Sequence, residues 1–150
     1  MSELSKTKIR KLGDRIRETF EDETRIVSQE DLEMLQEYRL TFRDTIASVF
    51  DIVYKDCQSI NKKSIVTYRI KRIESIIGKL KRMPNTELDR LIDIAGCRCI
   101  LSNNDQVYRL LNKLRENPQL IIKKEKDNIE SPQPEGYKSI HLYVCLPEGD

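Results

Sequence analysis

Between Ser28 and Asp56 apolar side chains recur every three or four residues, and Leu35, Tyr38, Phe42, Ile46, Val49, Phe50 and Val53 fall on one stripe. Such spacing marks a helix with one buried face, so the pattern predicts a single long helix over "SQEDLEMLQEYRLTFRDTIASVFDIVYKD". Ser28 is its N-cap, with Asp31 three residues on in the capping-box place and Val27 and Leu32 spaced as a hydrophobic staple. The aromatic members of the stripe read as core. Past the polar break at "CQSINKK" the period shortens. "SIVTYRI" is rich in β-branched residues and predicts a strand. "ESIIGKLKRM" predicts a short helix with Ile73, Ile76, Ile77 and Leu80 inward, stopped by Pro84.

The remainder alternates in the same way. "LDRLIDIAGCRCIL" runs from a polar helical turn into a strand at Cys97 to Leu101, and "SNNDQVYRLLNKLRENP" is a helix with the stripe Val107, Leu110, Leu111 and Leu114. "LIIKKEKDNI" and "SIHLYVCL" are further strands. The last alternates with period two: Ile140, Leu142, Val144 and Leu146 point one way, Ser139, His141, Tyr143 and Cys145 the other. The order helix, strand, helix, strand, helix, strand, strand predicts a sheet with helices over one face, an α/β or α+β architecture. A helical segment over residues 1–60 precedes a mixed domain over 61–150.

Composition narrows the classes. With 150 residues, 38% of them hydrophobic and 35% charged, the chain fits one polar globular domain. No apolar run reaches the length of a membrane span, and "MSELSKTKIRKLGDR" lacks the apolar core of a secretory signal. Cys57, Cys97, Cys99 and Cys145 form no C-x-x-C pair and have no histidine partners at ligand spacing, which predicts reduced thiols in a cytoplasmic protein. The net charge of +2 hides an asymmetry. Acids prevail from Glu21 to Asp56, whereas from Lys62 to Arg82 eight bases (Lys62, Lys63, Arg69, Lys71, Arg72, Lys79, Lys81, Arg82) face the single acid Glu74. That stretch attracts phosphate.

Three pieces carry candidate chemistry. In "YRIKRIESIIGK" Arg69 and Lys71 share a strand face, and Ser75 and Lys79 lie at i, i+4 on the following helix. Cations aimed at one point suit a triphosphate, whose bridging and leaving oxygens gather charge. In "DIAGCR" Asp93 stands at the entry to a strand, with Ala95 and Gly96 permitting close approach; a carboxylate there suits Mg²⁺, which keeps substrate phosphates in its shell. In "PEGYKSIH" Tyr137 offers a ring for stacking on a base, beside the donors Lys138 and His141. Taken singly these have ordinary structural readings: a solvated basic face, a turn carboxylate, a structural histidine. The absence of G-x-x-x-x-G-K-[ST] and G-x-G-x-x-G disfavours P-loop and dinucleotide folds. A lone histidine disfavours hydrolases that hold metal through several, and the basic segment lacks the interleaved aromatics of a single-strand binding surface.

In order and spacing the pieces resemble the synthetase domain of the RelA/SpoT family, the enzymes that make the alarmone (p)ppGpp. "RIKRIESIIGKL", "DIAGCRCIL", "DQVYRLLNKL" and "DNIESPQPEGYKSIHLYV", with G-Y-x-S-I-H above all, carry the resemblance from about Tyr68 to Val144, and the preceding helices look like those of the small, single-domain synthetases. The resemblance implies a nucleotidyltransferase-like mixed sheet within an α+β fold. It implies transfer of pyrophosphate from ATP to the 3′-hydroxyl of GDP or GTP with Mg²⁺ as cofactor, and a homo-oligomer. By position it implies that Arg69, Lys71 and Lys79 clamp the ATP phosphates, with Ser75 and Arg98 in the same nucleotide site. Asp93 binds the metal, Tyr137 stacks on the acceptor guanine, and Lys138 and His141 serve the acceptor phosphates.

The chain also departs from the family. Members carry a Glu-x-Gln strand whose glutamate activates the attacking hydroxyl or shares the metal; the sequence ends at Asp150 before that point, which predicts a piece of a longer protein, inactive as it stands. Gln133 and Glu135 replace a lysine and an asparagine of the acceptor loop, and Asn128 stands where a tyrosine is common. Fewer positive charges weaken the case for acceptor 5′-phosphates and favour as alternative a toxin-like member that pyrophosphorylates the 3′ end of tRNA; a separate, non-enzyme alternative is an inactive nucleotide-binding regulator.

Overall fold

The computed structural model describes residues 4–130 and 139–147. In chain order these form helix α1 (Lys6–Glu18), α2 (Gln29–Leu40), α3 (Arg43–Ile60), strand β1 (Ile65–Ile70), α4 (Ile73–Arg82), β2 (Ala95–Ile100), α5 (Asn104–Glu116), β3 (Ile121–Asp127) and β4 (Ile140–Cys145), with short 3₁₀ turns at Thr19–Glu21 and Leu88–Arg90. The class is α+β, as expected. β1 pairs with β2 and β3 with β4, giving two two-stranded ladders among the described residues. No helix among them is long and apolar enough to cross a membrane.

The expected single helix from Ser28 is two helices. Its start is as predicted, since the Ser28 hydroxyl accepts from the Asp31 amide at 3.1 Å. The capping box is not closed, however: the Asp31 carboxylate turns to Arg15 on α1, whose Nε lies 3.0 and 3.2 Å from its oxygens. At Thr41 the helix stops, because the Thr41 hydroxyl donates to the Tyr38 carbonyl at 2.6 Å and its amide bonds Tyr38 as well. A threonine that satisfies a carbonyl of the last turn competes with helix continuation. The apolar stripe survives the break yet serves two cores.

Two compact units share the chain: residues 1–46 with 69–96, and 47–68 with 97–150. In the first, Ile9, Leu12 and Ile16 of α1, Leu35 and Tyr38 of α2, Ile76 and Leu80 of α4, and Leu88, Leu91 and Ile94 form one buried cluster. α1 earns its place by an i, i+3, i+7 stripe and a Ser5 cap accepting from the Lys8 amide at 3.2 Å. Gly13 lets α1 come close, since a Cβ there would stand 2.9 Å from the Leu88 Cβ. In the second unit Val49, Ile52, Val53 and Cys57 of α3 pack with Leu110, Leu114 and Leu120, and Val66, Cys97, Cys99, Leu142 and Val144 close over them. The predicted inward faces of α5 and β4 are thus the observed ones. All four cysteines are free thiols.

β3 and β4 run antiparallel, Asp127 opposite Ile140 and Ile121 opposite Cys145, with an irregularity between Ile122 and Lys124 that shifts the register. Across α5 and β3 the Tyr108 hydroxyl donates to Asp127 at 2.7 Å, and Arg115 grips Glu125 with two nitrogens.

The α1 approach makes a direct prediction. Gly13→Val places branched carbons against Leu88, and overpacking of this kind costs about 1–3 kcal/mol. Urea denaturation followed by circular dichroism is expected to show a lower midpoint at an unchanged slope.

Candidate functional site

The first unit brings together Lys71, Lys79 and Asp93, three residues spread over 23 positions of sequence. Lys71 is the first residue past β1, where its amide donates to the Ile94 carbonyl at 2.6 Å. That bond ties the end of β1 to the residue after Asp93. Lys79 sits on α4, three residues after the buried Ile76 and one before the buried Leu80, so burial of those two side chains sets the helix's rotation. The Lys71 ammonium is 2.8 Å from Asp93 Oδ2. The Lys79 ammonium is 2.7 Å from Oδ1, an oxygen sealed from solvent that meets Lys79 as a charge contact rather than a directed hydrogen bond.

Exposure decides what this cluster is. The Lys71 side chain is 9% exposed and that of Lys79 18%, whereas Asp93 is 42% exposed. Two largely enclosed cations therefore flank a carboxyl side chain that is only partly exposed, with Oδ1 sealed and Oδ2 bonded to Lys71, and the group carries one net positive charge. Burial raises the Asp93 pKa; the contacts and charges of Lys71 and Lys79 outweigh it and hold the carboxyl below its ordinary value of 3.8. An acid so held is a weak base. It is suited to ligating a cation and to organising charge, and unsuited to removing a proton at neutral pH.

The helical layer supplies what the sequence reading assigned to packing alone. Arg39 of α2 donates from Nε to the Lys71 carbonyl at 2.7 Å and from Nη1 to Gln36 Oε1 at 3.1 Å. Arg17 of α1 reaches the end of α4, donating to the carbonyls of Leu80 at 3.4 Å, Met83 at 2.7 Å and Thr86. These are the orphan acceptors of a helix terminus and of the turn after it. Arg10 pairs with Asp89 at 3.0 Å. Periodicity cannot reveal such roles, because an arginine that bonds a distant carbonyl looks the same in sequence as one in water.

The other expected site residues fall into three groups. Arg69 and Ser75 lie in the same unit; Arg69 is exposed on β1, Ser75 is half-buried on α4, and neither touches Asp93. The shared strand face expected for Arg69 and Lys71 is not formed, since β1 ends at Ile70. A Cβ at Gly96 meets no described atom within 4 Å, so the close approach expected there is not made by the protein's own packing. Arg98 and His141 belong to the second unit, both exposed, and the Ser139 hydroxyl lies 3.0 Å from His141 Nε2. Tyr137 and Lys138 lie outside the described residues, with Gln133 and Glu135. Asn128 is buried, and its amide donates to the Ser139 carbonyl at 2.7 Å, closing the base of the β3–β4 hairpin.

No three-ligand cluster of histidine, cysteine or carboxylate occurs among the described residues. A structural zinc site is therefore not formed by them, but Mg²⁺ needs none: it is held through one or two carboxylates together with substrate phosphates and water. The carboxylate oxygens of the partly exposed Asp93 are donors of the kind that ion takes.

A family model described as "Region found in RelA / SpoT proteins" matches residues 68–150. GTP pyrophosphokinase YwaC of Bacillus subtilis is 33% identical over 119 residues, which is 76% of this chain and 57% of that protein. Small alarmone synthetase 2 of B. subtilis superposes with a TM-score of 0.65 at 30% identity, over 75% of this chain and 62% of that one. Small alarmone synthetase 1 of B. subtilis, solved with its product pppGpp, gives a TM-score of 0.68 over 77% of this chain at 22% identity, a likeness of fold. The chain thus spans under two thirds of the length of these relatives.

The ion cluster predicts its own titration. Because folding lowers the Asp93 pKa, its contribution to stability is complete above the unfolded value near 3.8 and is lost as pH falls through the lower folded value. Carbon-13 NMR of the Asp93 carboxyl is expected to give a midpoint below 3.8, and Lys79→Met is expected to raise it.

Proposed function

The chain belongs to the RelA/SpoT family, and from the ion cluster that its matched segment contains we propose that the protein is a pyrophosphokinase transferring the β,γ-pyrophosphate of ATP to the 3′-hydroxyl of GDP or GTP. The observation that carries the reading is two enclosed ammonium groups sharing one partly exposed carboxylate. The names of the relatives, GTP pyrophosphokinase and small alarmone synthetase, support it.

In the transfer the 3′-oxygen of the acceptor bonds to Pβ of ATP, the bond from Pβ to the oxygen bridging it to Pα breaks, and AMP leaves with that oxygen. The acceptor hydroxyl loses its proton to a base other than Asp93, whose depressed pKa makes it unfit for that step. Lys71 and Lys79 meet the polyphosphate. Their shared surplus charge draws the anion, and each ammonium exchanges one oxygen of Asp93 for a phosphate oxygen at little electrostatic cost. Arg69, exposed on β1, adds a third cation from the same motif, and Ser75 a hydroxyl. Asp93 is the residue that would hold Mg²⁺ through a carboxylate oxygen. Bound there, Mg²⁺ would neutralise charge on the phosphate oxygens as the bond to AMP breaks.

Arg98, Tyr137, Lys138 and His141 complete the reading as nucleotide and acceptor contacts, by their place in the family's motifs.

The test incubates the full-length protein with γ-labelled ATP, Mg²⁺ and either GDP, GTP or bulk tRNA. Label is expected on a guanosine nucleotide. Label on tRNA alone overturns the acceptor, and no transfer with retained ATP binding leaves a regulator. Asp93→Asn keeps the shape and removes the charge, so the transfer rate is expected to fall about a hundredfold or more.

A further inference from the structure

Lys71 occupies a two-residue connection between β1 and α4, and the carbonyl of such a residue belongs to neither ladder nor helix. Arg72, the N-cap of α4, contributes no side-chain cap. Nothing local therefore fixes the backbone from which the Lys71 ammonium reaches Asp93. The part-buried Arg39 of α2 does so from 32 residues away, donating its Nε to that carbonyl at 2.7 Å. Its Nη1 is oriented in turn by Gln36 at 3.1 Å. On the other side the Lys71 amide is held by the Ile94 carbonyl at 2.6 Å. The residue is thus gripped at carbonyl, amide and ammonium, and α2 makes the first of these grips.

We infer that Arg39 is a positioning residue for Lys71: its guanidinium sets the backbone from which Lys71 meets the polyphosphate, and it does not touch the substrate itself. The assignment rests on the function proposed above. Arg39 has no carboxylate partner among the described residues, and its guanidinium donates to the Lys71 carbonyl and to Gln36. Lysine in its place keeps the charge and loses the planar donor aimed along Nε. Charge and geometry are thereby separable.

Two measurements on the full chain decide it. In the first, Arg39→Lys and Arg39→Ala are compared with the parent by amide hydrogen exchange without ligand. Protection of the Lys71 amide is expected to fall about tenfold or more in both, while the α1 amides of Leu12 and Ile16 keep theirs; unchanged protection at Lys71 overturns the inference, and equal loss at all three shows a merely structural role. In the second, calorimetry with inorganic tripolyphosphate is run as a double-mutant cycle with Lys71→Met. Arg39→Lys is expected to weaken binding about tenfold in the parent and to add little once Lys71 is methionine. Additive losses, or an Arg39→Lys variant binding as the parent does, assign Arg39 to long-range charge or to packing instead. Should the parent bind no polyphosphate, the proposed function falls, and the exchange measurement still decides whether Arg39 holds Lys71.

Discussion

One carboxylate held between two ammonium groups organises the first unit. Enclosing a lysine is costly unless a partner compensates it, and Lys71, at 9% exposure, has Asp93 as that partner. The partner's side chain is the least enclosed of the three, although its Oδ1 is sealed. An anion reaching the cluster can take over the charge balance of the lysines without moving them into or out of water. Had Asp93 been buried and the lysines exposed, the same three residues would form a structural ion pair with nothing to offer a ligand.

The geometry holds because the surroundings are stiff. Burial of Ile76 and Leu80 rotates α4 so that Lys79 faces Asp93, and burial of Ile94 anchors the residue that follows the carboxylate. Gly13 allows α1 to lie against Leu88, and from α1 Arg17 collects the loose carbonyls at the end of α4. Helices α1 and α2 are thus the mould for α4 and the segment after it, and they share the first unit with residues 69–96.

Much of this was legible in the sequence where a short-range rule applied. The α4 stripe of Ile73, Ile76, Ile77 and Leu80, the stop at Pro84, the α5 stripe with Leu110, Leu111 and Leu114 and the alternation of β4 follow from periodicity and turn chemistry, and all appear in the structure. Lys71 and Lys79 were legible as part of a basic stretch and Asp93 as a separate strand-entry carboxylate; only the resemblance to the RelA/SpoT motifs put them in one site. The break at Thr41 was not legible, since the stripe runs through it unbroken and only the hydroxyl bond to Tyr38 distinguishes the turn. Nor was the fate of Asp31, whose carboxylate has two good partners, the local amide of Ser28 and the distant Arg15, and takes the charged one. Arg39 and Arg17 escaped for the same reason: their partners are backbone carbonyls, and a carbonyl has no signature in sequence.

The cations divide by chemistry. Where a backbone carbonyl must be held still, the residue is arginine, with Arg39 on Lys71 and Arg17 on Leu80, Met83 and Thr86. The guanidinium presents its donors in a rigid plane and loses little freedom in using them. Where an oxygen must be given up for another, the residue is lysine. An ammonium is a point charge on a four-carbon stem, indifferent to the direction of approach, and Lys71 and Lys79 meet Asp93 in this way. A site with the two types exchanged would clamp its own carboxylate bidentately and lose its hold on the strand end. The distribution of arginine and lysine around Asp93 therefore separates a rigid hold on the backbone from a charge contact without directional demand.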